Sequence, residues 1–150
     1  FVTRKITRGL GMILKGERDN LIMGNIDAKR DWGHAKDYVE GMWRILQTDK
    51  ADDYVLSTNE YHSVREFIEI AFKIRGFDIC WKGSGLDEIG YDEKTGRELI
   101  LISEKYYRPA EVEELLGDST KAQTELGWER QYTFNQLVRE MVEHDCPIEE

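Results

Sequence analysis

Apolar residues recur at helical spacing in four stretches of the chain, with short strand-like runs between them. Val2, Ile6, Leu10, Ile13 and Leu14 lie near one stripe of an opening helix, ringed by Arg4, Lys5, Arg8 and Lys15. Gly9 and Gly11 weaken that helix, and Gly16 is placed to stop it. "NLIMGNI" is an apolar run of strand length closed at Gly24-Asn25. Val39, Met42, Trp43 and Leu46 fall at i, i+3, i+4 and i+7 and predict a helix from near Ala35. "DDYVLST", ending at Thr58, reads as a buried strand. Ser63 and Glu66 form a capping-box pair ahead of the stripe Phe67, Ile70, Ala71 and Ile74, which Gly76 ends. "FDICW" is strand-like, and two further strands flank a polar turn at Asp92–Gly96. "YYRPAEVEELLGDSTKAQTELGW" reads as a loop, a short helical turn and a helix stopped by Gly127. Thr133 and Gln136 make a second capping box, opening a helix with Leu137, Val138, Met141 and Val142 inward.

The order is αβαβα, a hairpin region, then αα, with no internal repeat and no low-complexity linker. Strand–helix alternation over residues 20–60 suits a parallel sheet covered by helices, but two strands cannot make one alone. Phe1 opens inside a helical pattern rather than with methionine. Both features lead to the expectation that the chain is a piece of a longer protein.

Composition narrows the class. Of the 150 residues, 40% are apolar and 34% charged, with only two prolines, which describes a globular chain rather than a disordered one. No apolar run approaches the ~18–20 residues of a membrane span, and no signal peptide opens the chain, so a cytoplasmic location is expected. Cys80 and Cys146 have no partners at zinc-like spacing and read as ordinary thiols. The net charge of −9 is uneven. Residues 1–50 carry ten Lys/Arg against seven Asp/Glu, and the remainder eleven against twenty-three. An acidic chain with a local basic element argues against nucleic acid and leaves room for a small anion.

Lys5, Arg30 and Arg108 are the candidate cations. Arg30 precedes the helix at Ala35, and Arg108 sits beside Pro109 in "YYRPAEVE". Arginine offers a rigid fork of donors matched to phosphate oxygens, so two arginines on separate loops suit a diphosphate. Arg30 can equally pair with Asp27, Asp31 or Asp37, and Arg108 with Glu111 or Glu113. His34, flanked by Asp31 and Asp37, reads as a structural donor. No metal-ligand spacing, nucleophile elbow or P-loop is present. Gly9 and Gly11 do not extend to a dinucleotide fingerprint, and none of the seven tyrosines has a lysine four residues later. A complete redox site is missing, and no catalytic residue is assigned.

"FVTRKITR", "GNIDAKRDWGHAKDYVEGMW", "HSVREFIE", "YYRPAEVEELLGDSTKA" and "LGW" together resemble the GDP-mannose 4,6-dehydratase family of extended short-chain dehydrogenases/reductases, in family order. The resemblance implies an α/β fold: the C-terminal part of a Rossmann-like doubly wound sheet plus a smaller mixed α/β nucleotide-sugar-binding domain. It assigns residues 17–60 to the last strands and helix of the dinucleotide-binding domain, and residues 1–16 and 61–150 to the substrate domain. It puts the catalytic N-terminal half, with its Thr, Glu, Tyr and Lys, upstream of this sequence. The implied enzyme is a lyase that converts GDP-mannose to GDP-4-keto-6-deoxymannose with tightly bound NADP, toward GDP-fucose and related sugars. Carried over by motif, Val2, Lys5, Arg30, Arg108 and Glu111 match substrate-binding positions, while NADP is held mainly by the upstream half. The implied full-length assembly is a homodimer or homotetramer, and the piece alone is expected to be inactive. The alternatives are a related GDP-sugar reductase or epimerase, and a non-catalytic nucleotide-sugar-binding module.

Overall fold

A computed structural model describes residues 1–107 and 112–147. Its elements are α1 (Val2–Leu14), β1 (Leu21–Met23), β2 (Lys29–Arg30), α2 (Ala35–Leu46), β3 (His62–Ser63), α3 (Val64–Ile74), β4 (Ile79–Lys82), β5 (Ile89–Asp92), β6 (Glu98–Ile102), β7 (Glu114–Leu115), α4 (Thr120–Leu126) and α5 (Phe134–Asp145).

Helices α1, α3 and α5 pack on one another and share a core with a four-stranded sheet of order β1-β6-β5-β4. The core takes Ile6, Leu10 and Ile13 from α1, Phe67, Ile68, Ala71 and Phe72 from α3, and Phe134, Val138 and Val142 from α5. Both capping boxes form, at Ser63/Glu66 and at Thr133/Gln136, so these helices start where their local sequence says. The glycines that weaken α1 have a packing reason. A Cβ on Gly9 would stand 2.7 Å from Leu21 Cδ1, and one on Gly11 would stand 2.9 Å from the Asp145 carbonyl oxygen. Their absence lets α1 press against both β1 and the end of α5. Thr7 and Arg4 bind the Asp145 carboxylate there, at 2.6 and 2.8 Å.

The hairpin β5–β6 is antiparallel around the expected Asp92–Gly96 turn. Asp92 accepts from the Thr95 hydroxyl and amide, and Gly96 takes a positive φ of 71°. On the other edge of β6, β1 pairs in parallel, Leu21 opposite Ile100. Within this chain, therefore, residues from both expected domain units share one sheet.

The region from α2 to Thr58 is built differently. Helix α2 forms as expected, yet its apolar stripe is not buried: Val39, Met42, Trp43 and Leu46 are 62, 57, 58 and 80% exposed. The side that docks is Asp37 and Gly41, where a Cβ would meet the Leu56 side chain at 2.5 Å. Residues 52–58, expected as a buried strand, form none, and Val55 is exposed. A strand exists only when its N–H and C=O groups find a neighbouring strand, and none is offered here among the described residues. The segment is tethered instead by polar contacts to α4: Lys121 to Asp52 and the Asp53 carbonyl, and Tyr54 to Glu125.

Candidate functional site: two cations either side of one segment

The stretch from Asn25 to Trp43 is mostly occupied with its own fold. Trp32 stacks on Phe134 at 5.8 Å and meets Phe67 edge-on, which plants it against the core. His34 is the N-cap of α2: its Nδ1 accepts from the Lys36 amide, so the proton of the neutral ring sits on Nε2, 3.0 Å from Glu140. The Asp37 carboxylate accepts from the amides of Gln131 and Tyr132, and its carbonyl from the Trp128 indole. Asp27 is held by Arg65, and Asp31 by Thr58. Asp27, Asp31 and Asp37 thus each accept from donors other than Arg30.

Arg30 lies on β2, in a three-stranded sheet of order β3-β2-β7. Its Nη1 donates to the Lys29 carbonyl at 2.7 Å and to the Glu113 carbonyl at 3.4 Å. The same Glu113 oxygen accepts the Lys29 amide at 2.7 Å, and the Asp31 amide donates to Leu115. Parallel pairing of β2 with β7 therefore sets residues 113–115 alongside Arg30.

Lys5 stands on α1, its Nζ 3.7 Å from the centre of the Tyr106 ring. Burial pushes its pKa down from the ordinary lysine value, and Arg18 pushes it further the same way. Close backbone approach holds that aromatic in place, because a Cβ on Gly24 would meet the Tyr106 carbonyl oxygen at 2.2 Å. Val2 packs on the core next to it in α1. Arg108 and Glu111 lie outside the described residues. Their place in the sequence is between Tyr106, which touches Lys5, and Glu113, which touches Arg30. The sequence did not single out Tyr106, and it named Glu113 only as a carboxylate able to pair with Arg108, not for the carbonyl that meets Arg30. The signal for Tyr106 was weak, an aromatic pair just ahead of Arg108. For the Glu113 carbonyl there was none, since a backbone carbonyl carries no side-chain signature.

No group of three or more His, Cys, Asp or Glu able to hold a metal occurs among the described residues. No helix among them is long and apolar enough to cross a membrane. An open depression between α2 and Gly127–Tyr132 is lined by neither Lys5 nor Arg30, and its cations are paired: Lys36 with Glu140, Arg44 with Glu40. A dinucleotide cofactor needs glycines at a strand–helix turn that leave room for its pyrophosphate. Gly9 and Gly11 are in mid-helix and filled against Leu21 and Asp145, so they do not fit that role.

The sequence pattern of the family described as GDP-mannose 4,6 dehydratase matches residues 1–141. The GDP-mannose 4,6 dehydratase of Dictyostelium discoideum is 53% identical over 145 residues, covering 97% of this chain and 41% of that protein. That of Cricetulus griseus is 50% identical over 148 residues, 99% of this chain and 40% of its own length. The chain thus spans about two fifths of the curated relatives it matches. A structure of RMD from Pseudomonas aeruginosa complexed with NADPH superposes with a TM-score of 0.73 over 97% of this chain and 42% of that one. At 21% identity that likeness shows the fold alone, a Rossmann-like α/β fold of which this chain is a portion. With a match that runs through α1, the Arg30 strand and α5, the chain belongs to the GDP-mannose 4,6-dehydratase family.

Proposed function

We propose that this chain supplies the nucleotide-sugar grip of a GDP-mannose 4,6-dehydratase, and that the cofactor cradle and the acid–base residues belong to a portion beyond it. The observation that carries the reading is the placement of two cations. Lys5 and Arg30 contact residues bracketing the segment that contains Arg108 and Glu111. In this reading Arg30 and Arg108 neutralise the diphosphate with charge-assisted hydrogen bonds. Glu111 accepts from donors of the nucleoside, and Val2 and Lys5 line the same side. The names of the relatives support GDP-mannose as the substrate. The NADPH of the neighbouring structure supports NADP as the cofactor. When bound by that further portion, the cofactor would supply the hydride-transfer chemistry of the reaction. Residues 35–60 fit the same reading, because the exposed stripe of α2 and the exposed, strandless run around Val55 are what a sheet from the missing portion would cover. A homodimeric or homotetrameric, cytoplasmic protein belongs to it as well.

The test is calorimetry on the full-length protein that contains this segment. Hydrogen bonds to charged groups contribute about 1.5–3 kcal/mol each. Arg30→Ala and Arg108→Ala should therefore each weaken GDP-mannose binding by roughly ten- to a hundredfold, at ~1.4 kcal/mol per decade. NADP affinity should hold, and Arg108→Lys should recover part of the loss by keeping charge without the fork. Equal weakening of both ligands would mark the arginines as structural.

A further inference from the structure

Strand β7 carries no apolar anchor. Val112, Leu115 and Leu116 are all exposed, as are the side chains of Glu113 and Glu114. The ion pair between Glu114 and Lys29 is itself in solvent, where such pairs contribute little. The backbone bonds from the Lys29 and Asp31 amides to the Glu113 and Leu115 carbonyls set the register with β2, and a side-chain tie beyond them is needed to anchor the run to Ser119.

The described structure offers a knot of polar groups just behind it. Asp31, the residue after Arg30, receives three donors: the Thr58 amide at 3.0 Å, the Thr58 hydroxyl at 2.6 Å and the Gly117 amide at 3.4 Å. Asn59 adds a second tie. Its Oδ1 accepts from the Ser57 hydroxyl at 3.0 Å and from the amide and hydroxyl of Ser119 at 2.8 and 2.9 Å. Asn59 holds a φ of 60°, a left-handed conformation that asparagine tolerates better than most residues. Ser57, Thr58 and Ser119 are all buried. Gly117 is needed for the approach, since a Cβ there would lie 2.3 Å from Ser57 Cβ. Three segments, 29–31, 57–59 and 117–119, thus meet at two side chains.

We infer that Asp31, seconded by Asn59, is a positioning residue of the nucleotide-sugar site: its clasp on Gly117 and Thr58 keeps β7 against β2, and so keeps the Glu113 carbonyl where it orients the Arg30 guanidinium. The inference rests on the proposed role of Arg30 as a ligand for the diphosphate. Asp31 touches no substrate in this scheme. It acts through β7, and its carboxylate is spent on amides and a hydroxyl rather than on the neighbouring arginine. Low dielectric around the buried Ser57, Thr58 and Ser119 strengthens these bonds and makes their loss expensive.

The experiment uses the full-length protein containing this segment, with two readouts. Amide hydrogen exchange of residues 112–119 reports the clasp without any ligand, and calorimetry with GDP-mannose and with NADP reports the site. Asp31→Ala should speed exchange in 112–119 by at least tenfold and weaken GDP-mannose binding about tenfold, with NADP affinity held. Asp31→Asn keeps an acceptor for Thr58 but cannot accept from Thr58 and Gly117 together. It should fall between wild type and Ala on both readouts. Asn59→Gly retains the backbone freedom and loses the acceptor, so faster exchange should be confined to the neighbourhood of Ser119. Unchanged exchange in both Asp31 variants overturns the clasp. So does equal weakening of the two ligands, which is the mark of general unfolding. Faster exchange with GDP-mannose affinity intact removes the positioning role. If Arg30→Ala also leaves that affinity intact, the grip itself has failed, whereas the exchange data still report the clasp.

Discussion

Helices α3 and α2 are of nearly equal length and both amphipathic, yet one is buried by this chain and the other is not. Phe67, Ile68, Ala71 and Phe72 of α3 are fully enclosed by α1, α5 and the four-stranded sheet. Val39, Met42, Trp43 and Leu46 of α2 face outward, and the helix is held from its opposite side by Asp37, Gly41 and Trp128. The difference teaches that amphipathicity fixes a stripe without saying what will cover it. Burying a large apolar side chain is worth about 1.5–3 kcal/mol, so four left outside forgo a substantial driving force. A chain spanning about two fifths of its relatives is where such a debt is expected.

The largest expected effect separates the two helices directly. Phe67→Ala removes a ring that Trp32 and Phe134 both contact. It should destabilise the 150-residue chain by about 3–5 kcal/mol in denaturant unfolding. Trp43→Ser should leave that chain within about 0.5 kcal/mol of wild type. In the full-length protein the gap between the two variants should narrow, as the proposed further portion would cover Trp43. A large loss from Trp43→Ser in the short chain would show that α2 is packed by its own chain.

A smaller contrast separates the regions by pH and salt. The Thr95 hydroxyl and neighbouring amides donating to Asp92 hold its carboxyl below the usual carboxylate range. Because the folded value is depressed, this stability is present above about pH 4, the ordinary aspartate value, and is lost as pH falls through the folded value. Amide exchange in the 92–96 turn should quicken over that acid window, and Asp92→Asn should flatten the response. Across the molecule, the Asp52 carboxyl is also held low, first by its hydrogen bond from Lys121, but both partners are solvent-exposed. Added salt at neutral pH should loosen that tether and leave the turn unmoved. The same salt response at both places would erase the distinction.

What could be read from the sequence follows from how far each feature reaches. Capping boxes at Ser63 and Thr133, the Asp92–Gly96 turn and the stop at Gly127 are decided within a few residues, and all appear in the structure. The strand expected at 52–58 depended on a partner, and without one it has no regular structure. The stripe of α2 was found but its direction was not. Arg30 was singled out from its chemistry and its motif. The carbonyl of Glu113 that orients it, and the Asp31–Gly117 contact 86 residues apart in sequence, leave no local trace. Arg108 and Glu111 lie outside the described residues, so they remain proposals resting on the motif.

The proposed function requires a further portion of the protein to cover α2, in keeping with the greater length of the relatives. Hydroxyl-radical footprinting read by mass spectrometry tests it at Met42 and Trp43, in the 150-residue chain and in the full-length protein side by side. Both residues should label readily in the short chain, at rates well above the buried Trp128. In the full-length protein their labelling should fall at least tenfold, while Trp128 stays protected in both. Equal labelling of Met42 and Trp43 in the two proteins would contradict the account.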